Sequence, residues 1–258
     1  MTEAIRDTLL FARRLLRNLM RQPWFVIATL TQPVVLLLLS SALFSRVATL
    51  PGFGWESYLT FLAPGLVIMG ALFAGGWNGM GLIGDIDRGV MDRLLVTPMR
   101  RGAMVAGKLV QLTVLVVLQS VILMALAEMR GATFENGPAG MLALLAAAVL
   151  IAAPVGALST AIALTTRTVE SLIAGVAMVL LPLTYLTALF MPVALVPHWI
   201  QVVAPYNPVD WAVTAARTAV SSDPDWGAVF LRFGYLTALT VGCVFLAVRA
   251  FRSYVRSV

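Results

Sequence analysis

Few side chains in this sequence could break or make bonds. It has one histidine, His198, and one cysteine, Cys243. A Ser-His-Asp relay would have to use His198, and nothing around it supplies the partners. A lone histidine beside Trp199 is not a metal site either. Cys243 lies inside an apolar run, so a disulfide framework or a cysteine-ligated metal is excluded, and plain packing suits it. The run Gly102-Ala103-Met104-Val105-Ala106-Gly107-Lys108-Leu109 nearly spells a phosphate-binding loop. It ends in Leu109 where Ser or Thr must reach Mg²⁺, no buried strand precedes it, and an apolar stretch starts inside it. Lys108 reads instead as a cytoplasmic anchor that lays its stem along lipid. No catalytic residue, metal or cofactor is expected on this chain.

The remaining polar residues of interest stand in apolar surroundings. Asn78, Gln111, Gln119 and Thr184 fall within or near long apolar runs. An unpaired amide in hydrocarbon costs several kcal/mol, so these side chains must face protein or water. Hydrogen bonding between helices is the ordinary role, and lining a pathway is the other. No carboxylate stands in the middle of an apolar run, which argues against a proton-coupled carrier. Glu128, Arg130, Arg217 and Arg232 belong near an outer interface.

Composition explains why such runs dominate. Of 258 residues, 60% are hydrophobic and 12% charged, against ~45–50% and ~25% in ordinary soluble domains. Mean hydropathy is +0.92. Too few charges remain to coat a water-facing surface, so the chain is a multi-span membrane protein. The net charge of +6 suits cytoplasmic loops; the arginines lack the interleaved aromatics of a nucleic-acid surface, and no nucleic-acid partner is expected.

Six apolar runs are long enough to span: 24–45, 58–80, 104–127, 139–164, 172–194 and 228–248. About 20 residues at 1.5 Å rise cross a ~30 Å hydrocarbon core. Gly75 and Gly79 form a small-xxx-small pair suited to close helix contact. Pro33, Pro154 and Pro182 could kink their helices. Residues 1–22 carry Ile5, Leu9, Ala12, Leu16 and Leu19 at helical spacing, with Arg6, Arg13, Arg17 and Arg21 between them. They read as an amphipathic helix in the interface, not as a signal peptide. Pro23 ends it. Of the Lys and Arg residues, fourteen fall on the side of the termini and four on the other, which puts both termini in the cytoplasm.

Two connecting segments stand out. In 85–97, Ile86, Val90 and Leu94 recur on one helical face, Asp85 or Asp87 can cap the start, and Pro98 forces a stop near Val96. A short cytoplasmic helix results, whose apolar stripe could enter a partner's groove or lie flat on lipid; periodicity alone does not choose. Between Pro197 and Pro208 no long helix can persist. Two short helices, about 198–204 and 209–220, are the simplest account, with Trp199, Tyr206 and Trp211 suited to the interfacial belt. Non-helical backbone at membrane depth must be buried in protein or face a wet cavity. The segment is then an outer gate or a loop on the outer surface.

The run Asp87-Arg88-Gly89, continued by Asp92-Arg93-Leu94-Leu95-Val96-Thr97-Pro98-Met99-Arg100, resembles the signature of type-2 bacterial ABC-transporter permeases of the daunorubicin-resistance-like group. Leu195-Val196-Pro197-His198-Trp199-Ile200 and Pro205-Tyr206-Asn207-Pro208-Val209-Asp210-Trp211, followed by Arg217, are similar to that family's re-entrant outer segment, and Gln32-Pro33 fits its first span. The resemblance covers nearly the whole chain in order. It implies an all-α membrane protein with six transmembrane helices, an N-terminal interface helix, a cytoplasmic coupling helix over 85–97 and an outer re-entrant hairpin over 195–220. It implies docking on a separate ABC ATPase subunit through Asp87, Arg88, Val90, Asp92, Arg93, Leu94, Leu95 and Pro98. It implies an outer gate at Pro197, Trp199, Tyr206, Asn207, Pro208 and Arg217. ATP and Mg²⁺ are expected on the partner ATPase, and a second permease copy as a homodimer in the bacterial cytoplasmic membrane. The expected cargo is a hydrophobic or amphiphilic small molecule, drug or lipid-like, moved outward. Export of a lipid-linked glycan, or a non-transport role as a membrane anchor or sensor for an ATPase, are the alternatives.

Overall fold

The computed structural model describes residues 8, 12–17, 23–44, 46, 55, 57–90 and 101–256, and every regular element among them is helical. These are α1 (Pro23–Leu43), α2 (Tyr58–Trp77), α3 (Met80–Asp87), α4 (Arg101–Met129), α5 (Gly137–Thr166), α6 (Val169–Tyr185), α7 (His198–Val203), α8 (Pro208–Val220) and α9 (Trp226–Arg256). Single 3₁₀ turns at Val193–Leu195 and Ala204–Tyr206 flank α7. Among the described residues, four stretches are long and apolar enough to cross a membrane: Tyr58–Asp87, Gly102–Met129, Gly137–Thr166 and Trp226–Arg252. The apolar helices Thr29–Leu43 and Val169–Tyr185 are shorter.

The core is built on α5, which touches α2, α4, α6, α8 and α9. Its Ala- and Gly-rich sequence has little side chain to hold neighbours away. A Cβ on Gly75 of α2 would come 2.7 Å from the Ala152 carbonyl of α5, and one on Gly79 would come 2.6 Å from the Ser159 carbonyl. The small pair thus brings two backbones into direct contact, where dispersion rather than water exclusion holds membrane helices together. Ser159 Oγ adds a polar stitch, donating to the Gly76 carbonyl and accepting from the Gly79 N–H. Leu62, Leu66, Ile68 and Leu72 leave α2 almost wholly enclosed. Outward faces carry large apolar groups instead, such as Val114, Leu118 and Val121 of α4 and Phe230, Val241 and Phe245 of α9. Exposed apolar area on that scale suits hydrocarbon, not water.

Three sequence expectations change. The apolar run 172–194 is not one helix: α6 stops at Tyr185, and residues 186–191 bend irregularly. Pro182 deprives the last turn of one donor, and side chains from α8 take over the freed carbonyls, as described below. The 85–97 segment does not begin with a capped helix at Asp85 or Asp87. Those residues close α3, where Asp85 pairs with Arg88 at 3.0 Å and Gly89 turns the chain at φ 64°. A left-handed residue there ends a helix cheaply only as glycine, so Ile86 and Val90 do not share one continuous helix. Residues 91–100, with Asp92, Arg93, Leu94, Leu95 and Pro98, lie outside the described residues. Lys108, finally, does not reach out along lipid: it is buried within α4 at 5% exposure. Near the N-terminus residues 12–17 are helical, burying Ala12 and Leu15 while Arg13, Arg14 and Arg17 stay exposed. The rest of 1–22 lies outside the described residues.

Candidate functional site

The irregular stretch after α6 drives backbone without helical hydrogen bonds into the protein interior, and the sequence from Asn207 through α8 answers it residue by residue. Pro208 starts α8 with its ring at the first helical turn, where the missing N–H costs nothing. Asn207 caps that helix, its Oδ1 accepting from the Val209 N–H at 2.9 Å. The other end of the same amide donates to the carbonyls of Leu183 (2.9 Å) and Leu186 (3.0 Å). One side chain therefore closes α6 and opens α8. One turn on, buried Asp210 accepts from the Ala188 N–H at 3.3 Å and from the Thr214 hydroxyl at 3.4 Å.

Arg217 lies two turns beyond Asp210 on the same face of α8. Its Nη1 donates to the Ala188 carbonyl (2.8 Å), Nη2 to Leu189 (2.6 Å) and Nε to Phe61 of α2 (3.1 Å). The guanidinium carbon sits 3.6 Å from the Phe61 ring centroid. Tyr58, at the start of α2, donates its hydroxyl to the Phe190 carbonyl at 3.1 Å. Gly65 gives the segment room: a Cβ there would stand 3.2 Å from the Leu189 carbonyl and 3.4 Å from Arg217 Nη2. Thr187 finishes the set, donating to Thr184 and accepting from the Leu189 N–H. A planar cation with several donors can serve a string of carbonyls where an ammonium could not. A buried charge persists only when compensated in this way, and Asp210 supplies the opposing charge nearby.

The junction brings together Asn207, Pro208 and Arg217 of the residues expected at the outer gate. Trp199 and Tyr206 are exposed instead, at 59% and 80%, and Pro197 caps α7. The two short helices expected in this segment fall at His198–Val203 and Pro208–Val220, close to the ranges the prolines require. Tyr58, Phe61 and Gly65 were missed by sequence reasoning, and Asp210 entered it only within the 205–211 run, without a role of its own. Only Asp210 left a signal there: an acid one turn after an Asn-Pro helix start. Of the polar residues in the apolar runs, Asn78 bridges α2 to α5 through Gly156 (3.4 Å) and Thr160 (3.3 Å). Thr184 donates back to Leu180 at 2.8 Å. Gln111 and Gln119 line cavities. The near-P-loop run Gly102–Lys108 is helical and lies within the first turns of α4, so it forms no phosphate-cradling loop. Asp87 and Arg88 are exposed and Val90 is half-buried.

This arrangement, an interrupted apolar run and two short helices clamped by a half-buried arginine inside a bundle of apolar helices, lies within the extent of a family match. Residues 6–220 match the family model described as ABC-2 type transporter. The chain belongs to the ABC-2 type transporter family. It is 27% identical over 227 residues to the ycf38 transport permease of Porphyra purpurea, covering 87% of this chain and 77% of that protein. It is 25% identical over 216 residues to the daunorubicin resistance ABC transporter permease protein DrrB1 of Streptomyces coeruleorubidus, covering 83% and 75%. It is 23% identical over 223 residues to the probable doxorubicin resistance ABC transporter permease protein DrrC of Mycobacterium tuberculosis, covering 85% and 79%. As an ABC-2 family member with several apolar helices it is a multi-pass membrane protein and a transporter permease subunit. Such a subunit is a transport component, not the catalyst, and the family implies an ABC ATPase partner in general.

Proposed function

We propose that this permease exports a hydrophobic or amphiphilic small molecule from the cytoplasm, powered by a separate ATPase subunit. Two copies form a homodimer in a bacterial cytoplasmic membrane, both termini face the cytoplasm, and α1 and α6 complete a set of six spans. The ATPase docks through the segment from Asp87 to Pro98. ATP closes the two ATPase subunits on one another, these segments move with them, and cargo leaves past the outer junction at 197–217. The observation that carries the reading is the Arg217 clamp on residues 188–189. It ties an unwound stretch to α2 by three hydrogen bonds, so that a shift of α2 would be passed to the outer hairpin.

The test is co-purification and ATP turnover with the candidate ATPase, comparing native protein with the Val90→Asp/Leu94→Asp double variant. The expected result is a stable native complex, lost in a variant that still inserts in membranes. A variant that binds and stimulates the ATPase as native protein does overturns the docking assignment. ATP turnover without vesicle flux of any amphiphile would favour an anchor or sensor role instead.

A further inference from the structure

Lys108 and Gln119 lie on the same face of α4. The step of eleven positions from one to the other returns to within about 20° after three turns and covers about 16 Å of rise. Both are buried, at 5% and 3% exposure, and Leu112 and Leu115 stand between them on that face. Gln119 Oε1 has no hydrogen-bond partner among the described residues. Lys108 has no salt-bridge partner among the described residues: the nearby carboxylate of Asp85 is paired with Arg88.

Each polar end opens on a cavity. Gln119 lines one of about 260 Å³, walled by α1 through Gln32 and Pro33 and by α2 through Met69, Phe73 and Trp77. Gln32 is exposed and stands at its rim. Lys108 lines a smaller one of about 60 Å³ with Asn78 and Gln111. The two share Thr29, Ala74 and Trp77 in their walls and so adjoin. The result is two adjoining cavities, each with a polar group at its far end and apolar walls between. Apolar walls with a few aimed polar groups are what small-molecule sites look like, and the two methionines beside the larger chamber, Met69 and Met80, can adapt to varied shapes. An orphaned acceptor and a buried ammonium whose nearby carboxylate, Asp85, is held by Arg88 are both costly on their own. A single ligand that brings an anion to one and a hydrogen-bond donor to the other relieves both.

We propose that the cavities between α1, α2 and α4 bind an acidic amphiphile. Its carboxylate lies at Lys108, its hydrocarbon body lies over Phe73 and Trp77, and a hydroxyl part-way along donates to Gln119 Oε1. This assigns a cargo class to the permease and rests on that reading only for the step from binding to export.

The test uses the full chain in phosphatidylcholine nanodiscs, without ATPase. It is photolabelled with a diazirine-bearing C18 fatty acid, and the label is mapped by mass spectrometry. Label is expected on 69–80 and 29–33. On native protein 12-hydroxystearate should compete best, stearate next and octadecanol least, with about tenfold between stearate and octadecanol for one buried charge-assisted contact. Lys108→Gln should lose labelling while Lys108→Arg retains it, and Gln119→Leu should erase the advantage of 12-hydroxystearate over stearate. Octadecanol competing as well as stearate, or label spread over the exposed face of α9 and not the cavity, overturns the proposal. The competitor ranking needs no variant to fold. A negative outcome leaves ATPase docking untouched, and failure of docking leaves the label pattern unchanged.

Discussion

Arg217 grips Phe61 twice, donating Nε to its carbonyl at 3.1 Å while the guanidinium lies 3.6 Å above its ring. The two residues are 156 positions apart, and through them α8 is tied to α2 and, by the same guanidinium, to the unwound stretch after α6. The clamp answers two carbonyls, of Ala188 and Leu189, that lie in non-helical backbone, and adds a third contact to Phe61 within α2.

Replacing Arg217 with Met should therefore do more than remove a charge. It leaves the carbonyls of Phe61, Ala188 and Leu189 without those donors, at a cost of about 3–5 kcal/mol for breaking a buried charged network. Thermal unfolding followed by fluorescence-detected gel filtration should show a large loss, and Arg217→Lys should recover only part, since an ammonium cannot fork to three acceptors. A Lys variant as stable as native protein would refute the clamp.

Asn207 acts in two directions, and two substitutions separate them. Asn207→Ala loses the α8 cap, about 1 kcal/mol, together with the bonds to Leu183 and Leu186. Asn207→Asp keeps an acceptor for the Val209 N–H but turns a carboxylate toward those two carbonyls. The Asp variant should be no more stable than the Ala variant in the same unfolding assay. If Asp matches native protein, capping alone explains the residue.

Close contact of α2 and α5 predicts a steep glycine pattern. Gly75→Ala and Gly79→Ala each force a methyl against backbone, where little can yield, and should cost about 1–3 kcal/mol. Gly234→Ala and Gly242→Ala, with nothing within 4 Å, should be neutral or slightly stabilising. Equal effects at all four positions would mean that α2 and α5 do not touch through these glycines.

Gly89 separates strain from packing. Its φ of 64° makes Gly89→Ala cost about 1 kcal/mol. A Cβ on Gly84 meets only ordinary contacts, 3.6 Å and beyond, from the flexible Arg88 side chain. ATPase coupling should fall in the Gly89 variant and survive in Gly84→Ala; the reverse order would count against an ordered turn at 88–89.

Much of this was legible in the sequence for a plain reason. Apolar runs and prolines act locally, so the helical segments and the two short outer helices follow from spacing. Gly75 and Gly79 announced a close contact, though not its partner. The end of α6 at Tyr185 was not legible, because 172–194 is continuously apolar and only Asn207 and Arg217, far along the chain, make an early stop tolerable. Tyr58 and Phe61 look like ordinary first-turn aromatics until the fold brings Phe190 and Arg217 to them. Lys108 failed in the opposite sense: a lysine near the end of an apolar run ordinarily reaches water, and here α2 and α3 cover it.

The early stop of α6 has a consequence for the surrounding lipid. Seventeen residues make a rod of about 25 Å, several ångströms short of a ~30 Å hydrocarbon layer, while the neighbouring α5 has thirty. A helix of that length placed across hydrocarbon requires the flanking acyl chains to shorten or splay to meet it. The short α6 is matched to a thinner hydrocarbon layer than α5, and its shortfall lies at the end that Asn207 and Arg217 hold.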